Sequence, residues 1–156
     1  MEKETNSSII NSPIGFLQIV ESCGKIIEIR ESDSTNQQFV KNRNEILHNA
    51  EQQIAAYFEG HLKEFSFQIK LEGTEFQKDV WEECRRIPYG QVRTYSDIAI
   101  AIGKPNAGRA VGMALRDNPI LLIVPCHRVI SKNGVGGFRL GSAIKMGLIE
   151  LEQKYI

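Results

Sequence analysis

The chain has 156 residues, 42% of them hydrophobic and 24% charged, with a formal net charge of zero. That length supports one domain, or a small domain joined to a larger one, and no apolar run approaches the roughly 20 residues that a membrane-spanning helix needs. Met1 to Thr5 lack the basic-then-apolar pattern of a secretory leader, and three scattered cysteines (Cys23, Cys84, Cys126) fit neither a disulfide framework nor a metal knuckle. An intracellular protein with reduced thiols is expected.

Overall neutrality hides an asymmetry. Residues 1–89 carry 10 Lys/Arg against 15 Asp/Glu, a net −5, whereas residues 90–156 carry 9 against 4, a net +5. The basic half is where an anionic ligand is expected.

Residues 8–30 read as a β meander, with short β-rich runs at Gly15–Val20 and Lys25–Arg30 joined through Ser22, Cys23 and Gly24. Residues 31–44 are polar and read as a loop. Ile46, Ala50, Ile54, Tyr57 and Phe58 recur at helical spacing, and Gly60 ends that helix. Alternation of Phe65, Phe67 and Ile69 predicts a further strand or extended segment. Thr74 with Gln77 forms a capping box, and Phe76, Val80, Cys84 and Ile87 share one face of the helix it opens. Pro88-Tyr89-Gly90 breaks the chain.

Thr94 caps the next helix, which runs to Ile102, and Gly103–Asn106 makes a turn. A further helix runs from Ala107 to about Leu115 and stops before Asn118-Pro119. Two short helices about such a turn predict a helix-turn-helix. Ser142–Gln153 carries Ile144, Leu148 and Leu151 on one stripe and reads as a closing amphipathic helix. These elements predict an α+β fold: a small N-terminal antiparallel sheet with a helix over residues 1–70, and a mainly helical domain with a helix-turn-helix over 71–156.

The densest chemical signal is Ile123–Ile130, where an apolar run meets Pro125 and is followed by Cys126, His127 and Arg128. A thiolate is the strongest common nucleophile, and histidine is its usual activator. The run before it reads as a buried strand-like segment that holds the sulfur rigidly. Cys84, on the apolar stripe of its helix, reads as a small core residue, and Cys23 sits in a turn with nothing nearby to activate it. Neighbours on an extended strand face opposite sides. Either the backbone turns after Pro125, or a water bridges sulfur and imidazole. A carboxylate must then fix the ring tautomer; Glu152, Glu150 and Asp97 are candidates, and spacing does not choose between them.

The second helix of the predicted pair is unusual. Arg109 stands among the small residues Ala107, Gly108, Ala110 and Gly112. Small residues permit close approach to a sugar–phosphate surface, with Arg109 the long side chain able to enter a duplex through its minor groove. They equally permit tight helix packing with Arg109 solvated.

Ser12-Pro13-Ile14-Gly15, Phe76 to Trp81, Ile87-Pro88-Tyr89-Gly90, Thr94-Tyr95, Arg109-Ala110-Val111-Gly112, Asn118-Pro119, Ile123 to Ile130 and Gly136-Gly137-Phe138 form a pattern that spans the chain. In these motifs it resembles the 6-O-alkylguanine-DNA alkyltransferases (methylated-DNA–protein-cysteine methyltransferases). The resemblance implies DNA repair by direct, irreversible, single-turnover transfer of an alkyl group from the 6-oxygen of guanine to Cys126. The nucleotide is first flipped out through minor-groove binding of the helix-turn-helix. His127 is implied as the base through a water, Glu152 as the end of that relay, and Asn118 as the holder of the active-site turn. Tyr95 donates to the departing guanine and helps rotate the nucleotide.

Arg109 fills the vacated place in the stack, with Thr94, Tyr95, Ala107, Gly108, Ala110, Gly112, Arg116 and Arg128 implied on the DNA-facing surface. Val129, Gly136, Gly137, Phe138 and Arg139 are implied in the pocket, where the carbonyls of Cys126 and Val129 accept from the guanine amine and the Arg139 N–H reaches the guanine oxygen. No cofactor or metal is implied. The implied partner is double-stranded DNA bearing alkylated guanine, with alkylated thymine left open. A monomer is expected, cytoplasmic and nucleoid-associated, or nuclear in a eukaryote. The reading requires a sulfur poised as an anion beside a swung-out base.

Departures from the family pattern are few. Phe138 stands where many members have Tyr, and Gly108 stands where Ala is frequent, which predicts a looser recognition helix. Cys23 lacks the Cys/His companions of the zinc site some relatives carry, and no cysteine-rich sensor domain is present to support a transcriptional role. Three other readings compete. A non-catalytic alkyltransferase-like lesion binder lacks the nucleophile that Cys126 supplies. A cysteine hydrolase needs an oxyanion hole and a direct thiol–imidazole contact, which adjacency makes awkward. An inert α+β domain leaves the motif matches unexplained.

Overall fold

A computed structural model describes residues 4–33 and 42–156. The chain divides into two compact units, Met1–Leu71 and Glu72–Ile156. In the first, β1 (Asn6–Ser12), β2 (Gly15–Ser22) and β3 (Lys25–Ser32) form an antiparallel sheet in the order β1-β2-β3. The meander begins two residues before the predicted start at residue 8. Gly15, with φ +109, pairs with Ser12 and closes the first hairpin. Helix α1 (Glu45–Phe58) packs on β1 and β2. Its fully buried stripe is Leu47, Ala50, Ile54 and Tyr57, while Ile46 and Phe58 are half-buried, so the apolar face is rotated slightly from the predicted one.

Of the polar stretch 31–44, residues 34–41 lie outside the described residues. Glu31 and Ser32 end β3, and Asn44 caps α1 by accepting from the Leu47 N–H. Phe65, Phe67 and Ile69 form an extended segment rather than a named strand. Only Ile69 bridges, in parallel, to Ile26, while Phe65 packs its ring 5.5 Å from Tyr57 and 5.7 Å from Phe67.

The second unit contains α2 (Glu75–Arg85), β4 (Arg93–Thr94), α3 (Tyr95–Ala101), α4 (Gly108–Arg116), β5 (Val129–Ile130) and α5 (Ser142–Tyr155). Both arms of the Thr74–Gln77 capping box are present, and Thr94 makes a second one with Asp97. Helices α2, α3 and α4 pack on one another, and the Trp81 indole donates to the Ala114 carbonyl at 2.7 Å. Val80, Trp81, Cys84, Ile98, Val111, Val129 and Leu148 form the core. Strands β4 and β5 pair in parallel, setting the start of α3 beside the Cys126 segment.

Two expectations need correcting. Gly108 is the first residue of α4, and a Cβ there would meet no described heavy atom within 4 Å, so the penalty of an interior helix glycine does not apply. In α5 the fully buried stripe is Lys145, Leu148 and Glu152, while Ile144 and Leu151 are only half-buried. No helix among the described residues is long and apolar enough to cross a membrane.

Candidate active site

The apolar run before Cys126 is buried but is not a strand. Asn118 organises it: its Oδ1 accepts from the Ile120 N–H at 2.9 Å and its Nδ2 donates to the Val124 carbonyl at 2.8 Å. Leu122 is forced to φ 73 in the middle of this loop, a conformation costing about 1–2 kcal/mol for an L-residue. Pro125, at φ −80 and ψ 65, then centres an inverse γ-turn closed by Cys126 N–H to Val124 O at 2.8 Å. A single 3-10 turn, Cys126–Arg128, follows. The backbone therefore turns after Pro125, which leaves the bridging water open as the route between sulfur and imidazole.

This geometry brings the sulfur to the wall of a cleft of about 600 Å³. Asn118 Nδ2 donates to Cys126 Sγ at 3.2 Å. Burial pushes the thiol pKa up; the Asn118 hydrogen bond and the charges of Arg139 and Lys145 pull it down but do not prevail. The thiol therefore needs a base to become the anion that the reading requires. Arg109, Arg116 and Arg139 also line the cleft, and among the described residues no Asp or Glu does. Met113, 67% exposed on α4, lines it too. The sequence reading missed Met113 because it weighed only the small residues and Arg109.

Behind the sulfur lies a buried ionic cluster. His127 Nε2 is 2.6 Å from Glu152 Oε2, and both residues are 1% exposed. Arg128 donates to both Glu152 oxygens, at 2.7 and 3.0 Å, and to the Ile87 carbonyl at 2.7 Å. Gly90 N–H adds a bond to Glu152 at 3.1 Å. Burial pushes the Glu152 carboxyl up, yet its bonds to His127 and Arg128 outweigh this and hold its pKa at about 2. Burial lowers His127 against the pull of Glu152, leaving a neutral ring. An ionised carboxylate only accepts, so Nε2 carries the proton and Nδ1 keeps the lone pair.

Of the three carboxylate candidates, the structure selects Glu152. Asp97 is occupied as a cap, and Glu150 is exposed. Arg128 is corrected: it is 8% exposed with its guanidinium spent on Glu152 and Ile87, not on a DNA-facing surface.

Tyr95, at the start of α3, donates its hydroxyl to the Gly137 carbonyl at 3.3 Å and receives Lys145 Nζ at 3.5 Å. Burial raises the Tyr95 pKa, keeping the phenol protonated, and lowers that of Lys145 to about 8. Lys145 Nζ also donates to the carbonyls of Val129 at 2.6 Å and Gly137 at 3.0 Å. A Cβ on Gly136, whose φ is +78, would stand 2.8 Å from the Tyr95 hydroxyl, so only glycine fits this close approach. Sequence reasoning did not assign Lys145 to the site. A lysine three residues before Leu148, with a glutamate four after it, was the available signal, because all three share one helical face.

The other anticipated residues fall as follows. Thr94 spends its hydroxyl oxygen on the Asp97 N–H. Ala107 precedes α4, Arg109, Ala110 and Arg116 are exposed on it, and Gly112 faces the Tyr95 ring. Val129 is fully buried with its carbonyl on Lys145. Phe138 lines the cleft, as does Arg139.

The chain is similar to known proteins over most of its length. A family model described as "6-O-methylguanine DNA methyltransferase, DNA binding domain" matches residues 75–154, and one described as "6-O-methylguanine DNA methyltransferase, ribonuclease-like domain" matches residues 7–71. The methylated-DNA–protein-cysteine methyltransferase of Methanosarcina acetivorans is 48% identical over 129 residues, covering 82% of this chain and 78% of its own length. A probable methylated-DNA–protein-cysteine methyltransferase of Acanthamoeba polyphaga mimivirus is 43% identical over 149 residues, 94% of this chain and 95% of its own. The Mycobacterium tuberculosis OGT solved in complex with DNA superposes with a TM-score of 0.87 at 40% identity, covering 96% of this chain and 93% of that one. The chain belongs to the 6-O-methylguanine DNA methyltransferase family.

Proposed function

We propose that the chain repairs double-stranded DNA by transferring an alkyl group, methyl foremost, from the 6-oxygen of guanine to Cys126, irreversibly and once per molecule. Its family membership makes it a methyltransferase of DNA repair; the residue roles are inferred from the site. One observation carries the reading: the Cys126 sulfur, held by Asn118, opens into a cleft shared with Tyr95 and with the Arg109 face of α4.

Because the alkylated oxygen lies inside the duplex, the nucleotide must leave the stack, at a cost of about a few kcal/mol. Arg109 enters from the minor groove and fills the gap, and the small residues of α4 allow its backbone to approach the strand. The Cys126 proton then passes to His127 Nδ1 through a bridging water, and Glu152 stabilises the imidazolium that forms. The sulfur attacks the alkyl carbon, and the carbon–oxygen bond breaks with its electron pair moving to the purine. Tyr95 gives its proton to the departing guanine, and the Lys145 ammonium stabilises the tyrosinate left behind. Sulfur keeps the alkyl group as a thioether, a poor leaving group, so the thiol is not regenerated.

The test is intact-mass measurement after incubation with a duplex oligonucleotide containing methylguanine. Each molecule is expected to gain one methyl group, mapped to Cys126, while Cys126→Ser gains none yet retains duplex affinity. More than one guanine restored per protein, or label in the serine variant, would refute the scheme.

A further inference from the structure

We infer that Arg139 is a positioning residue for this reaction, a latch that joins the cleft wall to the end of α4 and to the amide that holds the Cys126 sulfur. The inference rests on the alkyl-transfer reading for its biological purpose but not for its test. Residues Phe138 to Gly141 form a tight turn closed by Gly141 N–H to Phe138 O at 2.9 Å, with Arg139 near its tip. Its Nη1 donates to the carbonyl of Arg116 at 3.0 Å and to that of Asn118 at 2.9 Å. Arg116 is the last residue of α4, so its carbonyl lacks an intrahelical partner, and a cation there also complements the helix dipole. Asn118 is the residue whose side chain donates to the sulfur. One guanidinium therefore ties the wall beside Phe138, the end of the DNA-facing helix and the sulfur's own hydrogen-bond donor together.

Charge adds to geometry. The ionisable groups around Cys126 are Arg139 on the cleft wall, Arg109 and Arg116 on α4, Lys145 on α5, Tyr95 on α3, Cys84 on α2, and its neighbours His127 and Arg128. Tyr95 and Cys84 keep their protons, and His127 is neutral, so none of the three carries a charge towards the sulfur. Arg128 is neutralised by Glu152. Lys145 loses its proton near pH 8. Arg109 and Arg116 are exposed on α4, and Arg139 is the cation that pulls most on the Cys126 sulfur.

The experiment follows the rate of Cys126 alkylation by iodoacetamide, a neutral electrophile, as a function of pH in the full chain. A Cys23→Ser background removes the exposed thiol. Arg139→Met is expected to raise the apparent thiol pKa by about one unit, slowing the reaction roughly tenfold at neutral pH, and Arg139→Lys is expected to recover most of that loss. Melting curves recorded in parallel identify any variant that fails to fold; Arg139→Gln, which still donates to the carbonyls, then replaces Arg139→Met. An unchanged pH profile in the uncharged variant overturns the inference, and so does a lysine variant no better than the uncharged one. Since iodoacetamide needs no DNA, the outcome is independent of whether guanine is the alkyl donor.

Discussion

Helices α1 and α5 are each 14 residues long and bury one stripe apiece, but the stripes differ in kind. The underside of α1 is Leu47, Ala50, Ile54 and Tyr57, all inaccessible. That of α5 is Lys145, Leu148 and Glu152, two charges around one leucine. Helix α1 starts on a side-chain cap from Asn44, whereas α5 starts at Gly141 with no side-chain cap bond. Apolar burial is favourable by itself, at roughly 25 cal/mol per Å², while a buried charge is tolerated only when it is paired and hydrogen-bonded. The helix that serves stability follows the hydrophobic pattern. The one that carries chemistry violates it and relies on specific partners: Val129 and Gly137 carbonyls for Lys145, and His127, Arg128 and Gly90 for Glu152.

The largest effect is expected from moving the second stripe towards the first. Glu152→Leu replaces one of the two buried charges of α5 by an apolar side chain and leaves the Arg128 guanidinium buried without its anion. Removing one partner of such a pair costs about 3–5 kcal/mol, read as a lower denaturation midpoint in urea. Alkyl transfer is also expected to be lost, since His127 would lose the carboxylate that accepts from its Nε2. The isosteric Glu152→Gln isolates the ionic part by pH. The folded-state pKa of Glu152 is lowered from 4.5 to about 2, so its stabilising contribution is complete above pH 4.5 and disappears as pH falls towards 2. Wild-type stability should drop more steeply across that window than the variant's. Parallel curves would show that Glu152 is not the ion holding the cluster.

That contrast also explains what could be read from the chain beforehand. The Thr74–Gln77 and Thr94 caps, the paired helices about Gly103–Asn106 and the β meander depend on residues within a few positions of one another, so local chemistry reveals them. The apolar run before Pro125 looked strand-like because such a run carries no period to separate a strand from a buried loop; the loop is imposed by the three bonds of the Asn118 side chain. Arg128 seemed available to DNA because nothing local shows that Glu152, 24 residues later, claims it. Motif resemblance located Glu152, where spacing left three candidates.

A mid-sized effect should come from damaging the apolar stripe instead. Ile54→Ala removes most of a fully buried side chain from α1, and such truncations cost about 3 kcal/mol. Chemical denaturation followed by far-UV circular dichroism gives the value. Methyl transfer per folded molecule should match wild type at a temperature where the variant is fully folded, because every residue of the proposed machinery belongs to the other unit. A proportional loss of transfer would contradict the division of labour between the two helices.

The smallest expected change concerns the side-chain cap that α1 has and α5 lacks. Asn44 does two things: Oδ1 accepts from the Leu47 N–H at 3.0 Å, and Nδ2 donates to Glu21 Oε2 at 3.1 Å. Glu21 is 3% exposed and also receives the Asn6 amide and the Gly24 N–H. Its carboxyl pKa is lowered, chiefly by the Asn6 hydrogen bond, so it stays ionised and relies on its donors. Asn44→Ala removes cap and donor together and is expected to cost about 1–2 kcal/mol. Asn44→Ser keeps a good cap acceptor but cannot reach Glu21 equivalently, so it should cost about half as much. If serine proves as damaging as alanine, the Glu21 contact outweighs the cap, and α1 too is held in place partly by a buried charge.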